Sequence, residues 1–323
     1  MQKTLSVIDL NAIRHNALYI KKLIGGSFFF AVVKADAYGH GAEEVAHSIE
    51  DIADGFCVAI IEEGIALRVA GIVKPILVFT PPLDRYDALR AREYNLTVTV
   101  NSIKTARLCA GNSCHIKVNT GMNRMGCTAG DLPEIFKILE FESVEGIYSH
   151  LYAPHDNVAC AQQFALFERA VRFIKTYKPS VVAHLSASGG ILRGGRYLCD
   201  GVRAGILLYG YAPYGFNAQV TPALKVYARM AQSTRFIGGG IGYSPAEKQY
   251  DSLGVYRCGY ADGFSRGVPL GEKGLCMDSF ISENLDGMLC VMDNADEYAE
   301  RCKTISYEVL TNVTHRSERI YKR

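Results

Sequence analysis

The chain has 323 residues, 49% of them apolar and 21% charged, enough for a large domain plus a smaller one. Its 35 Lys and Arg nearly balance 33 Asp and Glu, and a net charge of +2 excludes the basic field that nucleic acid or an anionic membrane surface would require. The 10 cysteines are scattered, with no C-x-x-C pair and no zinc-ligand spacing, so they read as reduced, mostly buried apolar residues and no metal site is expected.

The first residues, Met1-Gln2-Lys3-Thr4-Leu5, lack the apolar core of a secretory signal, and the longest apolar runs, such as 28–33, are too short to span a bilayer. A cytoplasmic protein is the expectation. Residues 1–9 precede the first domain and are assigned a strand of the second. From residue 28, β-rich runs at 28–34, 55–60, 75–79, 96–100, 114–119, 144–151, 181–186 and 202–207 alternate with helical patterns. Helices are predicted at 42–51, 61–70 and 162–175, for example, from apolar residues spaced three and four apart. Such alternation implies parallel pairing, and eight units close into a (β/α)8 TIM barrel over residues 10–215. An open doubly wound sheet is the alternative, weakened because no G-x-G-x-x-G follows the first strand. After about residue 215, Gly and Pro punctuate short strand-like runs at 223–232, 253–260 and 287–292. Residues 216–323, with 1–9, therefore read as a mainly β domain. The basic tail from His315 to Arg323 reads as a solvated end.

Barrel active sites form where strands end. Lys34 ends the first run, His150 lies near the end of the sixth, His184 lies in the seventh with Ser188 after it, and Arg203 lies in the eighth, followed by Gly205 and Ile206. The last two loops are the usual phosphate site of barrels, where Ser188, Gly205 and Ile206 supply a hydroxyl and backbone N–H groups. Ordinary readings stand beside these: Lys34 as an exposed strand end, His150 and His184 as satisfied core histidines. Arg203 in an apolar strand needs a partner. A lysine after an all-apolar run has a lowered pKa, which favours covalent carbonyl chemistry.

The stretch from Ala31 to Gly41 (Ala31-Val32-Val33-Lys34-Ala35-Asp36-Ala37-Tyr38-Gly39-His40-Gly41) resembles the pyridoxal-phosphate lysine motif of the alanine racemase family. Further segments resemble the family's other motifs in order: 117–126, Ser149-His150, 184–188, 202–206, 258–266, 274–278 and 304–308. The match covers nearly the whole chain. The resemblance implies an isomerase that interconverts L- and D-alanine on pyridoxal 5′-phosphate and supplies D-alanine for peptidoglycan. By that resemblance Lys34 anchors the cofactor and is one base, and Tyr260 is the other. His150 packs on the pyridine ring, Arg203 faces its nitrogen, and Arg124 contacts its phenolic oxygen and the substrate. The family often carbamylates the lysine matching Lys117. Tyr38, Ser188, Gly205 and Ile206 bind phosphate, while Met277 and Asp278 line the substrate carboxylate region. Lys34 and Tyr260 would come from different subunits of a homodimer.

The sequence departs from the family at Asn119, Ala187 and Ala204, and the stretch between Arg266 and Gly274 is much shorter. His315 falls nearest a place where a phosphate-contacting tyrosine is common. Other readings are a racemase of the same fold acting on serine or a basic amino acid, a fold-related decarboxylase, and a non-catalytic pyridoxal-phosphate-binding protein. The decarboxylase would leave Tyr260 without a role.

Overall fold

A computed structural model of the chain describes residues 4–271 and 275–323. Gly274, part of one family-like segment, lies outside the described residues. The chain divides into two compact units: Ile13–Ala37 with Ala42–Thr221, and Met1–Ala12 with Tyr38–Gly41 and Pro222–Arg323.

The first strand, β1 (Thr4–Asp9), belongs to the second of these units. The next eight form one parallel sheet: β2 (Phe28–Val32), β3 (Gly55–Val58), β4 (Ile76–Val78), β5 (Val98–Val100), β6 (Cys114–Lys117), β7 (Val144–Tyr148), β8 (Val182–Ala187) and β9 (Gly201–Ala204). Their order is β4-β3-β2-β9-β8-β7-β6-β5. The two ends of this sheet meet through a Leu77–Thr97 bridge, with Val78 N–H donating to Thr97 O at 2.9 Å and Thr97 N–H to Ile76 O at 2.9 Å. The result is the expected barrel. Strands β3 to β6 are buried at every residue, as parallel strands covered on both faces must be.

Each of β2 to β8 is followed by a helix, from Ala42–Ile49 after β2 to Ser188–Arg193 after β8. Local chemistry starts several of them. Asp156 Oδ1 accepts from Val158 N–H at 2.8 Å and Ala159 N–H at 3.0 Å, capping the long helix Asn157–Tyr177. Such a cap contributes about 1 kcal/mol. Several observed strands stop earlier than the apolar runs suggest, because the runs continue into loops at the barrel mouth. β2 ends at Val32 and β9 at Ala204, and Ile206–Tyr209 is a short 3-10 turn rather than strand.

The smaller unit is built on a sheet of β10 (Leu224–Arg235), β13 (Ser252–Tyr256), β14 (Phe280–Ser282), β15 (Met288–Met292) and β16 (Glu318–Lys322) with β1. Short β11 (Gly240–Ile241) and β12 (Ser244–Pro245) pair separately. Helices Ala295–Cys302 and Ser306–Asn312 complete this unit. Two expectations are corrected. The basic tail is a strand that pairs parallel with β1, from Leu5–Glu318 to Asp9–Lys322. Its exposure alternates, with Glu318, Ile320 and Lys322 on the wetter face and Arg319 and Tyr321 on the half-buried one, a pattern that charge content alone did not distinguish from a loose end. The run at 253–260 is strand only to Tyr256, and Tyr260 opens a one-turn 3-10 segment, Tyr260–Asp262.

Candidate active site

In a parallel barrel all strand C-termini share one face, which gathers Lys34, Lys117, His150, Ser188 and Gly205 at or just beyond the ends of their strands. Lys34 follows β2. Its pKa is lowered, chiefly by burial, then by Arg124, with Glu63 partly opposing. The Glu63 carboxylate accepts from Ala35 N–H at 2.7 Å and Ala59 N–H at 2.6 Å, so it ties the chain after Lys34 to the end of β3. Beyond Lys34 the backbone takes an unusual path. Ala35, Asp36, Ala37 and Tyr38 all have φ between 51° and 54°, a left-handed turn made without glycine. Ala42 N–H donates to Asp36 Oδ1 at 2.8 Å where the chain returns to the barrel.

Arg203, 2% exposed, sits at the centre of the barrel set. One terminal nitrogen, Nη1, donates to His184 O and to His184 Nδ1, both at 2.8 Å. The other, Nη2, donates to Ser149 O at 2.6 Å, Leu185 O at 3.1 Å and, more distantly, His150 Nδ1 at 3.4 Å. Arginine only donates, so His184 Nδ1 must accept and His184 must carry its proton on Nε2. That N–H then donates to His115 Nδ1 at 2.8 Å. Burial lowers the pKa of His115 and of His150 to about 3 and holds His184 well below its ordinary value, with Arg203 the next cause for each. The three rings are therefore neutral. Tyr148 stacks on His184 with ring centroids 4.9 Å apart and an interplanar angle of 9°, and Arg203 and Lys117 lie over its face at 5.1 and 5.3 Å. The guanidinium keeps one donor, Nε, without a hydrogen bond among the described residues.

Lys117, 5% exposed, has its pKa lowered to about 8 by burial and then by Arg203, Arg124 and Lys34. Among the described residues none of these four cations forms an ion pair with a carboxylate. Asn119 shapes the loop that carries Arg124: its Oδ1 accepts from Gly121 N–H at 3.0 Å and Asn123 N–H at 3.1 Å. Ser188 Oγ accepts from Gly205 N–H at 3.2 Å and Leu207 N–H at 3.3 Å, joining the last two strand ends as the barrel argument requires.

Tyr38, Tyr260, Met277 and Asp278 belong to the smaller unit. Within it the Tyr38 ring lies 5.9 Å from that of Tyr307. His315 is exposed. Tyr260 is half-buried, and its N–H donates to Cys276 O at 3.1 Å. Sequence reasoning passed over His115, Glu63 and Tyr307. His115 had a signal: it stands two residues before Lys117 on the same face of β6, and a face that carries the lysine inward carries the histidine too.

Residues 8–213 match the family described as alanine racemase, N-terminal domain. The chain belongs to the alanine racemase family. It is 32% identical to the alanine racemase of Streptococcus agalactiae over 366 aligned positions that cover 98% of each chain. Identity to the alanine racemase of Cutibacterium acnes is 33%, covering 98% of this chain and 97% of that one. Its fold is similar to that of the Clostridium difficile 630 alanine racemase, with a TM-score of 0.89 at 27% identity, covering 99% of this chain and 96% of that one. The alanine racemase of Bartonella henselae, solved with covalently bound pyridoxal phosphate, superposes with a TM-score of 0.84 at 26% identity over the whole of both chains.

Proposed function

We propose that this chain is a pyridoxal-phosphate-dependent alanine racemase that moves the Cα proton between two bases, Lys34 and Tyr260, and so supplies D-alanine for peptidoglycan. One observation carries the reading. Lys34, Lys117, Arg124 and Arg203 share one barrel mouth without an ion pair to a carboxylate among the described residues, and Lys34 has a lowered pKa. That donor set fits an anionic aldehyde cofactor. Its negative charge offsets their mutual repulsion, and a lowered lysine pKa favours the neutral amine, the form that attacks a carbonyl.

In this reading Lys34 holds the cofactor, and the cofactor, when bound, accepts the electron pair released as the Cα–H bond breaks. The remaining roles belong to the chain's own residues. Arg203, with its spare Nε–H, would donate to the pyridine nitrogen. Because an arginine does not give up that proton, it would leave the nitrogen unprotonated, a weaker electron sink that would disfavour transamination. His150 packs against the ring. Arg124 meets the phenolic oxygen and the substrate carboxylate, and Lys117, carbamylated, would give Arg124 the carboxylate partner it lacks. Tyr38, Ser188, Gly205 and Ile206 hold the phosphate, with Tyr307 beside Tyr38. Tyr260, with Met277 and Asp278, comes from a second copy of the chain and faces the opposite side of Cα, where a proton can be returned with inverted configuration.

The test is to follow D-alanine formation from L-alanine by the purified chain with and without pyridoxal phosphate, beside a panel of serine and basic amino acids. Alanine should turn over fastest. Lys34→Ala should abolish both turnover and the absorbance of the bound cofactor. A chain that binds the cofactor through Lys34 yet racemises no amino acid is a binding protein, and the reading falls.

A further inference from the structure

The turn that carries Tyr260 is held on two sides within the smaller unit. Tyr260 N–H donates to Cys276 O at 3.1 Å and Ala261 N–H to Met277 O at 2.9 Å. Gly259 lies so close to that segment that a Cβ there would meet Met277 O at 2.3 Å and Cys276 O at 2.4 Å. On the far side Gly263, with φ of +94°, would meet Asn312 O at 2.3 Å if it carried a Cβ. Only glycines permit these two approaches.

Asp262 closes the turn. Its Oδ2 accepts from Gly259 N–H at 2.9 Å. Its Oδ1 is buried and has no hydrogen-bond partner among the described residues, on a side chain only 1% exposed. Burying a carboxylate is costly unless a cation is near. The cation is Arg316, four residues beyond Asn312. Its Nε lies 3.6 Å from that Oδ1, and its Nη2 lies 2.9 Å from Asp278 Oδ1. One guanidinium thus spans the Tyr260 turn, the 276–278 segment and the C-terminal segment.

We propose that Arg316 is a positioning residue that fixes the Tyr260 turn against Met277 and Asp278, and thereby the placement of the tyrosine base. The fork of guanidinium donors suits two carboxylates on different segments, whereas a lysine ammonium serves one at a time. The inference rests on the reading of Tyr260 as a base, so the experiment separates the two.

In the cofactor-free protein, amide hydrogen exchange at Tyr260 and Ala261 should speed up in Arg316→Met, with barrel amides unchanged. In the holoenzyme, Arg316→Met should lower kcat roughly 10- to 100-fold, the scale expected of a misplaced catalytic group, and by more than it raises KM through Asp278. Solvent-deuterium incorporation from one enantiomer should fall more than from the other, and it should be the enantiomer for which Tyr260→Phe falls more. Arg316→Ala should recover activity with added guanidinium ion, since Arg316 is 37% exposed in the single chain. Symmetric loss in Arg316→Met beside asymmetric loss in Tyr260→Phe overturns the positioning role, as does unchanged amide exchange. Symmetric loss in Tyr260→Phe overturns instead the two-base reading, and amide exchange still judges Arg316. If Arg316→Met does not fold, Arg316→Lys is the variant to read, with a partial loss of the same asymmetry expected and a symmetric loss overturning the role.

Discussion

At Lys117 burial and charge act in one direction, and the consequence is measurable. Its ordinary pKa of 10.5 falls to about 8 in the folded chain. Between those values the unfolded chain carries a proton that the folded chain has released. Stability therefore rises with pH across that window, because the folded state no longer confines a charged ammonium beside three other cations. The penalty is complete below about pH 8 and fades by about 10.5. The slope it adds is at most about 1.4 kcal/mol per pH unit. Lys34 acts in the same sense, and tyrosines titrate at the upper end, so the difference between two curves is the useful quantity. In cofactor-free protein and carbon-dioxide-free buffer, Lys117→Met should lose part of the rise seen in wild type by urea denaturation. Parallel curves would mean that Lys117 titrates like an exposed lysine. The same lowered pKa supplies the neutral amine that carbamylation needs.

The element that most departs from local rules is the turn after Lys34. Four successive residues with positive φ, none of them glycine, each carry a steric cost of about 1–2 kcal/mol. Such strain persists where surrounding structure imposes it, and here the Glu63 and Asp36 hydrogen bonds hold both ends. Ala35→Gly should accordingly not destabilise the chain, whereas Ala66→Gly, exposed in the helix Ile61–Val69, should cost about 1 kcal/mol. Urea midpoints of the two variants make the comparison, and equal losses would show that the turn is unstrained. Alternation of apolar runs was enough to read the barrel, because a parallel strand buried on both faces leaves an unbroken apolar run and each crossover leaves a helical period. The turn was not readable: Ala-Asp-Ala-Tyr carries no glycine to announce a left-handed path, and the hydrogen bonds that impose it come from Glu63 and Ala42. The site divides the same way. Lys34 and Arg203 could be shortlisted from strand ends, but the Arg203–His184–His115 chain depends on the register of β6 to β9, which no local pattern encodes. Tyr307 lay inside a recognised segment, yet only the fold sets it beside Tyr38.

At the scale of the whole molecule the question is how many chains make one site. Lys34 belongs to the barrel unit and Tyr260 to the smaller one. In the proposed homodimer each site takes Lys34 from one chain and Tyr260 from the other, so two defects placed on different chains do not fall equally on the two sites. Lys34→Ala and Tyr260→Phe homodimers should each be nearly inactive. A heterodimer of the two has one site with both defects and one with neither. Unfolding and refolding an equal mixture makes half of the dimers mixed, so about a quarter of wild-type activity should return. Separately refolded variants, combined afterwards, control for exchange of subunits. If both bases came from the same chain, every site in the mixture would keep one defect and no activity would return. The outcome therefore decides between a shared site and a self-contained one without needing the strength of the interface, provided the mixed dimer forms, which a differently tagged pair purified over two affinity steps establishes directly.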